Sequence, residues 1–251
     1  MNILLGIPVY NEEENINPFF EHLFSKLPEE INKIIVINDG STDNSKKLLE
    51  NIKKKYDNFS IEIIHRYPNL GYGASMIFLL DYAKQNHFDF LITMDCDRQH
   101  RVEDLKRFIK QPFSFDVVSG SRYLPNSPKC GIDPPKDRLK VNQKITLKLN
   151  QIYHFRLTDS FCGFKRYKLE KIHPECFEEK GYGFPLEFWS YCYYFKLSIK
   201  EIPVARVYIT DDRSFGENLD KYKIRYKYYL NVLKKANKKF QQFNSELCIS
   251  K

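Results

Sequence analysis

The stretch Phe88-Asp89-Phe90-Leu91-Ile92-Thr93-Met94-Asp95-Cys96-Asp97-Arg98-Gln99-His100 decides how this chain is read. It opens as a mostly apolar run of strand length and stops abruptly in Asp-Cys-Asp. Alternate side chains of an extended chain share a side, so Asp95 and Asp97 arrive together where the strand ends. Open α/β sheets bind their ligands outside the carboxyl ends of the strands. Two hard oxygen donors at that edge suit Mg2+ or Mn2+, ions that also hold substrate phosphates. Gln99 adds an oxygen on the same side. His100 is open between ligand, surface residue and capping residue. The alternative for the whole stretch is a solvated acidic loop. Its placement at a strand end points instead to metal-dependent chemistry on a nucleotide diphosphate.

Working outward, the first half alternates short β-branched runs with helical patterns. Strands are predicted over 2–8, 33–38, 61–65, 88–94 and 116–119, and helices over 12–26, 41–56, 73–85 and 102–110. Ser41 is the expected N-cap of the second helix. Strands separated by helices imply crossover connections, hence an α/β fold with a mostly parallel central sheet flanked by helices. After Ser121 the pattern changes. Residues 123–137 hold Pro125, Pro128, Gly131, Pro134 and Pro135 and read as a long loop. A helix over 138–155, a turn over 159–163, a helix over 185–196, a β pair of 199–204 with 206–210, and a basic helix over 218–240 follow. No repeat or linker cuts the chain. One domain over 1–251 is expected, with a nucleotide-binding half (1–122), an acceptor-side half (123–220) and a basic C-terminal helix and tail (221–251).

Composition narrows the class. The chain has 251 residues, a net charge of +8, 17 Tyr and 20 Phe. The charge fits an anionic partner such as a nucleotide or a phospholipid surface, or simply a Lys-rich composition. No aromatic-and-basic ribonucleoprotein pattern accompanies it, so a nucleic acid is not expected as partner. No run approaches the roughly 18 apolar residues of a membrane span, and no secretory leader is expected. The six cysteines form no C-x-x-C pair and read as reduced thiols of a cytoplasmic protein. Residues 221–239 mix Ile224, Tyr228, Leu230, Val232 and Leu233 with Lys and Arg. They either lie on an anionic membrane or pack on the body.

Other turns converge on the same edge. Pro8 ends the first strand, and Tyr10 and Glu12 follow where a base can stack and hydrogen-bond; taken alone, the motif reads more simply as a strand-to-helix turn. Asp39, in Asn38-Asp39-Gly40-Ser41-Thr42-Asp43, either contacts a base or ribose or makes an Asx turn. Asn69-Leu70-Gly71-Tyr72-Gly73-Ala74 lacks the third glycine of G-x-G-x-x-G; its small residues are expected to let a nucleotide approach. Arg122 follows the fifth strand, and with Arg138 and Arg213 it forms a candidate phosphate-gripping cluster. Glu187 and Asp159 are the candidate general bases should the acceptor be a hydroxyl.

Together these motifs resemble a family 2 glycosyltransferase of the GT-A nucleotide-diphospho-sugar transferase fold, in the branch that includes dolichyl- and polyprenyl-phosphate mannosyltransferases. The resemblance spans roughly residues 2 to 220 and also takes in Asp159 to Lys165 and Glu201-Ile202-Pro203-Val204. It implies that Pro8, Tyr10, Glu12 and Asp39, with Asp95, hold a GDP- or UDP-linked sugar donor. Asp95, Asp97 and Gln99 would hold Mg2+ or Mn2+, and Arg122, Arg138 and Arg213 would hold phosphates, with a lipid phosphate as acceptor. It further implies inverting hexosyl transfer at the cytoplasmic face of a membrane or beside a membrane-protein partner. Asp97, Arg122, Arg213 and Glu187 are the expected catalytic set. A hydroxyl acceptor in cell-surface glycan synthesis and a non-catalytic sugar-nucleotide-binding subunit are the other readings. Two positions depart from the family pattern. Asn38 stands where Asp is common, and Glu217-Asn218-Leu219 follows Gly216 where a Ser-Lys pair is usual.

Overall fold

The computed structural model describes residues 1–208 and 218–249. Its frame is a seven-stranded sheet in the order β3-β2-β1-β4-β7-β5-β8. The strands are β1 (Ile3–Val9), β2 (Ile31–Asp39), β3 (Ile61–Arg66), β4 (Phe90–Thr93), β5 (Val117–Ser121), β7 (Lys165–Lys168) and β8 (Ile199–Pro203). All run parallel except β7, which lies antiparallel between β4 and β5. The expected mostly parallel sheet is therefore present. Its strands come from both sides of residue 122, so the sheet itself is not divided there.

The sheet is buried on both faces because its strands carry apolar side chains at consecutive positions. Period two then sorts them. Leu4, Ile35, Ile37 and Leu91 face one core with α3 (Tyr72–Gln85), α5 (Lys136–Tyr153), α6 (Phe184–Tyr194) and α7 (Tyr222–Ile249). Ile3, Leu5, Ile7, Val36 and Ile92 face the other, with α1 (Glu13–Lys26), α2 (Ser45–Lys55) and α4 (Leu105–Ile109). Helix α6 is apolar nearly all round and accordingly buried. Pro185 fits its first turn, where a missing N–H costs nothing.

Several boundaries differ from expectation, each for a local reason. Helix α2 begins at Ser45, and Ser41 is not its cap, because residues 41–44 are bound to the neighbouring loop. The helix expected over 102–110 is a single tight turn, Val102–Asp104, followed by the short α4. The 123–137 segment contains a strand, β6 (Lys129–Gly131), and α5 starts at Lys136, directly after Pro134 and Pro135. The last helix starts later and runs further than expected, over Tyr222–Ile249.

The expected pairing of 199–204 with 206–210 does not form. The amide of Val204 donates to Ser121, whereas the amide of Arg206 donates to Pro128. Two amides only two residues apart thus serve different sheets, and the chain crosses between them. β8 extends the main sheet on β5, while β9 (Arg206–Tyr208) pairs with β6 in a separate two-stranded sheet. Residues 209–210 lie outside the described residues.

Candidate active site

The loops after β1 and β2 meet at the carboxyl edge and are sewn together by their own polar side chains. Asn11, in the left-handed region at φ 52, accepts the Thr42 amide through its side-chain oxygen. Its own amide donates to Ser41 Oγ, and the Glu12 amide donates to Ser45 Oγ. Glu13 closes the seam by accepting both the amide and the side-chain N–H of Asn44. Ser41, Thr42 and Asp43 therefore build the edge. Beside this seam Tyr10 is 46 % exposed. Pro8 lies inside β1, in register with Ile37, just beyond the point where β1 and β4 part at Gly6 and Thr93.

Asp39 is buried, and the structure occupies it from inside. It accepts the amides of Leu70 and Gly71 at 3.1 and 2.8 Å and ion-pairs with Arg66 at 2.8 Å. Through these bonds it shapes the 67–71 loop. Gly40 permits this approach: at φ 71 its missing Cβ would stand 2.5 Å from the Asn69 nitrogen. The small residues of 71–73 admit a protein segment where a ligand was expected. A Cβ on Gly73 would fall 2.8 Å from the Lys180 carbonyl carbon, and the Ala74 amide donates to that same carbonyl.

That contact joins two identical triplets, Gly71-Tyr72-Gly73 and Gly181-Tyr182-Gly183. The Tyr72 and Tyr182 rings stack with centroids 6.1 Å apart at 15°. Burial raises the Tyr182 phenol, and the charges of Asp95, Glu12 and Asp220 with the Tyr10 phenol raise it further. Tyr182 is thus within electrostatic reach of Tyr10, Glu12 and Asp95, on both sides of the cleft. Sequence reading missed this pair, although the repeated Gly-Tyr-Gly triplet was its signal. A second support sits behind it: Tyr228 of α7 accepts the Gly183 amide at 2.9 Å and donates to Glu179 at 2.5 Å.

The Asp95–Gln99 loop leaves β4 beside Gly6, whose carbonyl takes the Met94 amide. Asp97 accepts the Gln99 amide at 2.9 Å, and Arg98 adopts φ 61, which together turn the chain back. His100 is buried under the loop. Its Nδ1 accepts the Asp95 amide at 3.3 Å, and its ring packs on Phe164. Burial drives its pKa down to about 4, so the imidazole is neutral and holds backbone. Asp95 is half-buried and faces Gly163, where a Cβ would come within 3.0 Å of the Asp95 carboxyl carbon. The missing side chain leaves room for this carboxylate. Among the described residues no group of three or more His, Cys, Asp and Glu is placed to hold a metal alone. Two carboxylates and an amide oxygen instead fit a hard cation that keeps waters and takes substrate phosphates as further ligands.

The remaining predicted residues separate. Arg122 makes a bidentate pair with Asp159 at 2.6 and 2.9 Å. Burial alone would lower the guanidinium and raise the carboxyl. The mutual charges reverse both, holding Arg122 well above and Asp159 below its ordinary range. Asp159 also accepts the Phe161 amide, and Glu201 holds the Thr158 and Asp159 amides from behind. Asp159 and Arg122 are thus tied to each other and to the backbone of this corner. Glu187 is likewise engaged: it is buried, accepts the Glu178 and Glu179 amides, and ion-pairs with Lys239 at 2.8 Å. Arg138 stands half-buried in the first turn of α5. Arg213, with Gly216 and Glu217, lies outside the described residues. Lys165, unflagged in the sequence, is buried under the site. It donates to the Cys162 carbonyl, and burial lowers its pKa.

A seven-stranded, mostly parallel sheet of this order, with paired aspartates beyond its fourth strand, has the architecture of a glycosyltransferase of the GT-A fold. The family model described as Glycosyl transferase family 2 matches residues 5–173, and this chain belongs to that family. It is a glycosyltransferase. Undecaprenyl-phosphate mannosyltransferase of Micrococcus luteus is 27 % identical over 221 residues, covering 87 % of each chain. Polyprenol monophosphomannose synthase of Mycolicibacterium smegmatis is 26 % identical over 206 residues, covering 80 % of this chain and 76 % of that one. A UDP-N-acetylglucosamine–dolichyl-phosphate N-acetylglucosaminyltransferase of Methanococcus voltae is 27 % identical, covering 86 % and 90 %. In fold, the chain is similar to glucosyl-3-phosphoglycerate synthase of Mycobacterium tuberculosis, crystallised with Mn2+ and UDP. The TM-score is 0.67 at 13 % identity, covering 94 % of this chain and 79 % of that one.

Proposed function

We propose that this glycosyltransferase moves a hexose from a GDP- or UDP-linked donor to a polyprenyl or dolichyl phosphate, with inversion at the anomeric carbon. The observation that carries the choice of acceptor is the state of the two carboxylates expected as bases. Asp159 is tied to Arg122, and Glu187 to Lys239 and two amides. A hydroxyl acceptor needs a base within hydrogen-bonding reach. A phosphate monoester is already an anionic nucleophile and needs none. The three relatives named above agree, since each is named for a polyprenyl-type or dolichyl phosphate.

Asp95, Asp97 and Gln99 are the residues that would hold Mg2+ or Mn2+. Such an ion supplies charge neutralisation on the leaving nucleotide diphosphate. The chain's own groups do the rest. Gly163 leaves the Asp95 carboxylate its space, and neutral His100 fixes the Asp95 amide. Tyr10, Glu12 and Tyr182 line the cleft for the donor, with Pro8 ending the wall. Arg138 and Arg213 are assigned to the acceptor phosphate, and Arg122 to holding the floor between them. Catalysis then rests on orientation and electrostatics.

The test is transfer from GDP-mannose, UDP-glucose and UDP-N-acetylglucosamine to a short water-soluble polyprenyl phosphate, with and without EDTA. Product formed only with the phosphorylated lipid and only in the presence of divalent cation is the expected result. Transfer to the corresponding alcohol, or full turnover in EDTA, overturns it.

A further inference from the structure

Helices α5 and α7 share a surface that the proposed reaction does not use. Residues 136–153 and 221–240 contain 13 of the 40 Lys and Arg but one of the 32 Asp and Glu, Asp137. The remainder of the chain is consequently net negative. On α5, Lys136, Lys140, Lys144 and Leu147 fall on one exposed stripe at helical spacing, with Leu147 59 % exposed. On α7, Lys223, Lys227 and Lys234 are exposed, with Ile224 42 % exposed among them.

The two helices are joined by a cation–aromatic ladder. Tyr222 and Tyr226 stack with centroids 6.1 Å apart at 5°. The Lys140 and Lys144 ammonium groups lie 5.6 and 5.8 Å from the Tyr222 ring, and Lys144 is also 5.8 Å from Tyr226. Basic groups, amphipathic rings and scattered aliphatic side chains, with Asp137 the one acid in these two ranges, form the pattern that binds an anionic lipid–water interface. Among the described residues no helix is long and apolar enough to cross a membrane. Attachment through this face would therefore be peripheral.

We infer that the α5–α7 face docks on the surface of an anionic phospholipid bilayer. The assignment deepens the proposed function, because a polyprenyl phosphate resides in a bilayer and must be met there. Its partner is chosen by charge complementarity, which falls with ionic strength. Tyr228 and Lys239, on a flank of α7, hold the Gly183 amide and Glu187. Both side chains are partly buried, whereas Lys223, Lys227 and Lys234 are exposed, so docking through the exposed lysines does not require those contacts to break.

The experiment is sedimentation of the full chain with vesicles of phosphatidylcholine alone or containing 30 mol % phosphatidylglycerol (about a third anionic lipid, in the range where surface charge attracts Lys). Wild type is expected to bind the anionic vesicles and release in high salt. The triple variant Lys140→Gln, Lys144→Gln, Lys227→Gln is expected to bind on the order of 100-fold more weakly, since each Lys near such a surface contributes about a fivefold factor. A second variant, Ile224→Glu, is also expected to lose binding. Both should turn over a water-soluble acceptor like wild type and lose activity on vesicle-borne acceptor. Equal binding by wild type and triple variant, binding indifferent to vesicle charge, or preference for a DNA duplex over vesicles at equal salt overturns the inference. Vesicle binding is read without turnover, so failure of the transferase reading would show separately, as absent transfer to the soluble acceptor.

Discussion

Two acidic regions at the same sheet edge have opposite fates. In the 95–99 loop, Asp95 is half-buried, faces a glycine, and lies 4.0 Å from the neutral His100. In the corner built from 158–201, Asp159 and Glu187 are almost wholly buried and each carries an ion pair plus backbone amides. Glu201 is partly buried beside Asp159 and takes the Thr158 and Asp159 amides and the Thr158 hydroxyl. Burial with partners built in from the protein makes a carboxylate a framework element. Asp95 instead is given space by Gly163, with the neutral His100 at 4.0 Å and the buried Lys165 within electrostatic reach. The contrast separates Asp95 from Asp159 and Glu187, with Asp97, buried and bound to the Gln99 amide, between them; it can be broken at several points.

The largest effect is expected from Asp97→Ala, which should reduce transfer by three orders of magnitude or more, about 4 kcal/mol of barrier, by removing one hard oxygen from the cation. Circular dichroism and melting should change little, because the loop turn also has Arg98 and the His100 contact. Near-normal turnover in this variant would place the ion elsewhere and end the comparison.

Asp159→Asn tests the other side. It strands the buried Arg122 guanidinium without its counter-charge, a change expected to cost about 3–5 kcal/mol of stability. The pH dependence has a defined sign. Burial raises the Asp159 carboxyl, but Arg122 outweighs it and holds the folded value below the usual range. Below about pH 4, the ordinary carboxylate value, the unfolded chain therefore binds the extra proton first. This stabilisation is complete above that pH and is lost as pH falls through the folded value. Urea titrations from pH 7 to 2.5 should show wild type losing this contribution and the Asn variant lacking it throughout. A variant as stable as wild type at pH 7 would mean the corner is not framework.

The first region was largely legible in sequence and the second was not, for a physical reason. Strand runs such as 88–94 and the Asp-Cys-Asp stop encode their geometry locally, through period and termination. The seam between Asn11, Ser41, Thr42 and Asn44 was visible only as polar turn residues, because which loop each would bind depends on strand order. The Arg122–Asp159 pair spans 37 residues and follows from β7 entering antiparallel between β4 and β5, which no local pattern announces. Both residues therefore read as separate candidates, and their pairing with each other was not legible. Tyr72 and Tyr182 were readable in principle, as the same triplet twice, but only their contact gives the repetition meaning.

Gly163→Ala sharpens the contrast at the Asp95 carboxylate. The added methyl would meet that side chain within 3.0 Å of its carboxyl carbon, and the backbone there is not left-handed, so the effect falls on the ligand group. Mn2+ affinity followed by electron paramagnetic resonance should fall tenfold to a hundredfold, the range that accompanies disturbed support of metal ligands. Unchanged affinity would remove Asp95 from the metal set while leaving Asp97 in question.

The smallest expected effect links the two regions through α7. Tyr228→Phe keeps the ring but deletes the hydroxyl that binds Glu179 and the Gly183 amide. Loss of these bonds should cost about 1–2 kcal/mol, since the amide is left without its acceptor. The same turn carries Tyr182 against Tyr72 and abuts Gly71 and Gly73 at the start of α3. A looser turn should therefore raise the donor KM severalfold while kcat stays within about twofold, the signature of lost binding shared by ground and transition states. A fall in kcat with KM unchanged would instead place Tyr182 beside the reacting atoms, and no change in either would confine α7 to holding the fold.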